Sequence, residues 1–99
     1  MLKTNKTIEG GKAVFALEGR LDTMTAPEFE KELKASIEGV SELILDFEKL
    51  EYISSAGLRI LLFAMKTMNG QGTMKVVNVN ELIMEILNVT GFADLLNIE

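Results

Sequence analysis

Two adjacent serines, Ser54 and Ser55, stand between an extended stretch and Gly57-Leu58, where a helix requires an N-terminal cap. The first-turn N–H groups of a helix have no partner within it, and the helix dipole adds about half a positive charge there, so such a position can hold an anion. A phosphoryl group on either hydroxyl would bring about -1.5 to -2 charges and three strong acceptors to a spot that was neutral. Read from spacing alone, the serines serve equally as ordinary caps, and chemistry by itself leaves both readings open.

Few other residues compete for a chemical role. The chain has no Cys and no His, which removes Ser-His-Asp and Cys-His nucleophilic systems together with thiolate and imidazole metal sites. No phosphate-binding G-x-x-x-x-G-K-[ST] or G-x-G-x-x-G run is present, and Gly70-Gln71-Gly72 follows a helical stretch instead of opening one. An enzymatic or nucleotide-binding reading would have to use a cleft around Asp22, Asp46 and Ser55. The residues therefore favour a binding module over an enzyme, with no cofactor and no metal.

The 15 acidic side chains outnumber the 10 basic ones, giving a net charge of -5, so a nucleic-acid backbone would be repelled. No stretch reaches about 18 uninterrupted apolar residues, and the N-terminus leads into no apolar targeting segment. A soluble cytoplasmic protein without membrane insertion is expected. At 99 residues, 47% of them apolar and 25% charged, the chain fits one domain over residues 1–99 with a single core.

The elements that must position the serines follow from periodicity. Lys3 to Ile8 and Lys12 to Leu17 read as strands joined by Glu9-Gly10-Gly11, a hairpin turn. Thr25-Ala26-Pro27-Glu28 reads as a helix start in which Thr25 caps and Glu28 reaches back. Phe29, Leu33 and Ile37 give that helix its apolar face, and Gly39 its end. Glu42 to Phe47 reads as a buried strand, and Glu48 to Ser55 as the turn beyond it.

A helix from the serines to about Asn69 follows, then a strand over Thr73 to Asn78. Asn78 or Asn80 caps a helix carrying Leu82, Ile83, Ile86 and Leu87, which Gly91 stops. A terminal piece is expected to pack inward through Phe92, Leu95 and Leu96. The fold class is α/β, a single mixed β-sheet flanked by helices in β-β-α-β-α-β-α order.

Tyr52-Ile53-Ser54-Ser55-Ala56-Gly57-Leu58-Arg59 resembles the signature of the STAS domain family, to which bacterial anti-sigma factor antagonists belong. Leu17-Glu18-Gly19-Arg20-Leu21-Asp22 is similar to the family's strand-to-helix passage, and Leu43-Ile44-Leu45-Asp46-Phe47 to its central strand. In the family pattern the phosphoacceptor stands two positions before the glycine and often follows an aspartate. Here that place is Ser55, before Gly57, and Ser54 replaces the aspartate and becomes a minor alternative acceptor.

The resemblance implies partner switching. The unphosphorylated antagonist binds an anti-sigma factor with serine kinase activity and frees a sigma factor; phosphorylation of Ser55 reverses binding, and a PP2C-type phosphatase resets the cycle. The alternative within the fold is a STAS scaffold that is never phosphorylated, in a transport or stress-signalling assembly. The family likeness also puts Asp22 and Asp46 near Ser55, where they would repel its phosphate, although each also suits a turn or a strand end.

On the helix after Ser55, Leu58, Leu61, Leu62, Met65 and Met68 share one face. Ile60 and Phe63 fall on the opposite side with Thr67, as a docking patch unless another element covers them. Arg59 would steer a partner or steady a phosphate, or simply be solvated. The methionines read as core filler.

Overall fold

The computed structural model describes residues 2–99. Gly10 and Gly11 both take positive φ, 54° and 84°, the combination that lets a two-residue turn match the twist of its strands. That turn joins β1 (Leu2–Glu9) to β2 (Lys12–Leu21) in antiparallel register from Leu2 opposite Gly19 to Glu9 opposite Lys12. Helix α1 (Ala26–Ile37) carries Pro27 in its first turn and buries Ala26, Phe29, Leu33 and Ile37. Gly39, at φ 80°, turns the chain into β3 (Glu42–Ile53), which pairs parallel with β2.

Helix α2 (Ser55–Asn69) leads to β4 (Thr73–Val77), parallel to β3. A Cβ on Gly72 would collide with the Ser41 carbonyl, so only glycine lets these connections pass. Helix α3 (Glu81–Val89) is capped by the Asn80 side chain, which accepts from Ile83 N at 2.9 Å. A single turn, α4 (Phe92–Leu95), follows, and Ile98 runs parallel beside Val76.

The sheet order is β1-β2-β3-β4. Every fully buried strand residue lies on one face: Ala13, Phe15, Leu17, Leu21, Leu43, Leu45, Phe47, Leu50, Ile53 and Val76. Opposite them pack the apolar stripes of the helices, with the Phe15 and Phe29 rings edge to face at 6.0 Å. The other face carries half-buried Val14, Ala16, Ile44 and Val77 among charged side chains.

Several expectations are corrected here. Glu48 to Ile53 is strand, not turn. Phe47, Leu50 and Ile53 are three residues apart, a spacing that would break plain alternation, but the pairing with β2 slips between Ala16 and Glu18 and again between Gly19 and Arg20. Each slip accommodates one extra β3 residue, so all three side chains stay on the covered face. Thr25 does not cap α1 through its side chain. Its hydroxyl turns back to donate to the Arg20 carbonyl at 2.7 Å and accepts from Asp22 N at 2.9 Å.

Leu95 is 56% exposed and only Leu96 of that pair is buried. Met24, far from filling the core, is 87% exposed, whereas Met68 is buried as expected.

Candidate functional site

The β2 and β3 strands end side by side, with Leu21 opposite Ile53, and the Ser54 N–H donates to the Leu21 carbonyl at 2.9 Å. That bond fixes where α2 starts. Ser54 occupies the cap in extended backbone, φ -99° and ψ 177°, and its carbonyl accepts from Leu58 N at 2.9 Å. Its Oγ is buried and has no hydrogen-bond partner, so Ser54 caps by backbone alone. One residue on, Ser55 begins the helix and is exposed. The chain thus separates two chemically identical hydroxyls, one sealed and one presented.

Gly57 explains how tightly this start is seated. A Cβ there would lie 2.8 Å from both Ile53 Cγ1 and Leu21 Cγ, closer than carbon atoms approach without displacement. With glycine, the first turn of α2 rests directly on the ends of β2 and β3, and the N–H groups of that turn have no acceptor within the helix.

Asp22 follows Leu21 and so stands at the same end of the sheet. Its Oδ1 accepts from Met24 N at 3.0 Å and Thr25 N at 3.1 Å, which fixes the loop into α1. The Thr25 N–H holds the Asp22 carboxyl below its ordinary range; partial burial opposes this, and the Met24 N–H, the Thr25 hydroxyl and Arg20 add to the lowering. Arg20 reaches Asp22 Oδ2 at 3.6 Å and stacks 4.5 Å over the ring of Tyr52, its cross-strand neighbour. Asp22 therefore stays ionised at the end of the sheet from which α2 starts.

Asp46 is elsewhere. It precedes Ile53 by seven residues, about 20 Å at the rise of a strand, and pairs with Ala16 and Val77. Its Oδ1 accepts from Glu48 N and from Asn78 Nδ2, both at 3.0 Å, tying the first β3 irregularity to the end of β4. The expected convergence of Asp22, Asp46 and Ser55 does not form, because β3 continues well past Asp46.

The proposed docking patch is corrected too. Ile60 is buried, 4% exposed, and Phe63 is half-buried with Lys34 Nζ of α1 at 5.2 Å from its ring centroid. Helix α1 covers that side of α2, and Leu62 and Met65 of the expected core face are only half-buried. Arg59 is exposed one turn beyond Ser55. The exposure of Met24 and the stacking of Arg20 on Tyr52 beside Asp22 were not anticipated from the sequence; for the turn that presents Met24, the Asp22-Thr23-Met24-Thr25 run, with an Asx turn's composition, was the available signal.

Among the described residues no helix is long and apolar enough to cross a membrane. The family profile described as STAS domain matches residues 2–99. A Bordetella bronchiseptica protein described as a candidate anti-sigma factor antagonist, BtrV, is 32% identical over 84 residues, covering 83% of this chain and 72% of its own. The solved anti-sigma factor antagonist of Mycobacterium paratuberculosis superposes with a TM-score of 0.89 at 22% identity, over 99% of this chain and 85% of that one. SpoIIAA of Bacillus, solved in its phosphorylated form, gives 0.76 at 18% identity, over 98% and 91%. At such identities the two solved structures speak for the fold, while the profile and the Bordetella relative carry the family. The chain, over its described length, belongs to the STAS domain family.

Proposed function

We propose that this protein is an anti-sigma factor antagonist switched at Ser55. Its unphosphorylated form binds an anti-sigma factor that has serine kinase activity and so releases a sigma factor; phosphorylation of Ser55 breaks the complex, and a PP2C-type phosphatase restores it. The observation that carries this reading is the exposed Ser55 hydroxyl on the first residue of α2, next to a Ser54 oxygen that is sealed. A kinase can reach the first and not the second.

A phosphate on Ser55 meets free N–H groups and the positive end of a 15-residue helix, so it can be carried without unfolding. Outside the helix it meets ionised Asp22, and any partner seated over that end faces roughly two new negative charges that must be desolvated. Release then follows from local electrostatics, with no rearrangement of the scaffold. The chain contributes no catalytic group; its role is to be a substrate and a ligand.

Incubation with the cognate anti-sigma kinase and ATP is expected to add one phosphate to the wild type and none to Ser55→Ala. Label retained in Ser55→Ala rejects the assignment. Titration calorimetry with the same partner is expected to give weaker binding for Ser55→Asp, and equal affinity rejects charge as the release step. Binding with no labelling of either form would favour the scaffold alternative.

A further inference from the structure

Residues 76–99 hold Glu81, Glu85, Asp94 and Glu99 and not one Lys or Arg. Within them α3 is richer in apolar residues than α1 or α2. Ile83 and Leu87 go into the core, yet Leu82 is 52% and Val89 80% exposed. At about 100° per residue, exposed Leu82 and Val89 flank Ile86, which is half-buried against the core, along one side of the helix, with Glu85 and then Glu81 next to them. Leu82 and Val89 are among the five large apolar residues of the described chain that are at least half exposed. An apolar stripe edged by one sign of charge is a complementary surface, not a solvated face.

From this we infer that the outer side of α3 is a second docking surface, and that its occupant is an amphipathic helix of a partner protein bearing Leu- or Ile-type residues beside Lys or Arg. The charge decides among occupants. A second copy would bring Glu81 and Glu85 against themselves, and an anionic lipid surface would be repelled for the same reason. A basic amphipathic helix satisfies both halves of the surface, its apolar side on Leu82, Ile86 and Val89 and its cations on Glu81 and Glu85. This inference stands apart from the Ser55 reading, since it uses no residue of that site.

The test uses the full chain labelled with 15N and a Leu/Lys amphipathic peptide of about five helical turns, with its Leu/Glu counterpart as control. The Leu/Lys peptide is expected to bind, to shift the amides of Leu82, Glu85, Ile86 and Val89 selectively, and to weaken as NaCl rises; the Leu/Glu peptide is expected not to bind. Leu82→Gln with Val89→Gln keeps helix-forming residues and is expected to lower affinity about tenfold or more. Glu81→Gln with Glu85→Gln is expected to flatten the salt dependence. Shifts spread evenly over the acidic surface, or affinity unchanged in the Leu82→Gln/Val89→Gln protein, overturn the inference. So does a wild-type dimer in sedimentation velocity that those two substitutions dissociate, which would give the stripe to a second copy. Ser55→Asp is expected to bind the peptide as wild type does, so failure here and failure of the switch are separately visible.

Discussion

Replacing Gly57 with alanine measures how closely the start of α2 is pressed onto the sheet. The new methyl would lie 2.8 Å from Ile53 Cγ1 and Leu21 Cγ and 3.0 Å from Leu21 Cδ2. Both neighbours are almost wholly buried, at 1% and 0% exposure, so neither has an open side to retreat into. Overpacking of this kind costs about 1–3 kcal/mol. Alanine recovers about 0.5–1 kcal/mol of helix propensity over glycine; with two fully buried neighbours the overpacking falls in the upper half of its range, about 2–3 kcal/mol, which leaves a net loss of about 1–2.5 kcal/mol. For a domain of this size that lowers the melting temperature by roughly 5–15 °C. Gly70→Ala is the control, since its Cβ would meet only the Thr67 carbonyl at an ordinary 3.7 Å. Urea titration of the three proteins provides the comparison. The strain is also expected to lift the first turn off Leu21 and Ile53, loosening the Ser54 N–H bond to Leu21 and slowing modification of Ser55. A Gly57→Ala protein as stable as wild type would refute the close-seating argument.

Ser54→Ala is expected to leave stability unchanged or raise it by about 1 kcal/mol, because it removes a buried hydroxyl with no partner; a loss of that size in chemical denaturation would show that Oγ caps after all. Ile60→Ala is expected to cost about 2–5 kcal/mol in unfolding free energy, and a cost near zero would return Ile60 to the surface. The lowered Asp22 carboxyl stabilises the fold fully above its ordinary value of 3.8 and loses that contribution as pH falls through its depressed folded value. The stability gap between wild type and Asp22→Asn, followed by urea midpoints from about pH 7 to about pH 2.5, is therefore expected to close at the acid end; a constant gap would exclude ionisation as its source.

Local signals were legible where local physics decides. The Gly10-Gly11 turn, the Phe29-Leu33-Ile37 stripe, the helix start at Ser55 and the Asn80 cap all rest on contacts within a few residues. The second half of β3 was not, because Phe47, Leu50 and Ile53 are kept on one face by slips in pairing with β2, a partner the sequence does not announce. Asp46 was misplaced for the same reason, since its distance from Ser55 depends on where that strand ends. Ile60 lay on the side of α2 opposite its leucines, which suggested solvent; how α2 packs on the rest of the fold buries it together with Gly57, Leu61, Ala64 and Met68. The candidate acceptor could be named from a motif, but the inward turn of Ser54 Oγ could be seen only once Leu21 had fixed the cap.

The two extra residues in β3 have a bearing on what the chain tolerates in evolution and engineering. They set the phase in which the backbone arrives at the 54–55 junction, so a residue gained or lost between Phe47 and Ser54 must be taken up by a further slip against β2 if Ser54 is to keep its bond to Leu21. The Gly10-Gly11 turn is no freer, since the Gly11 carbonyl accepts from Ser41 N at 2.8 Å and Glu42 N at 3.2 Å. Between Phe47 and Ser54, chain length and strand pairing can change only together.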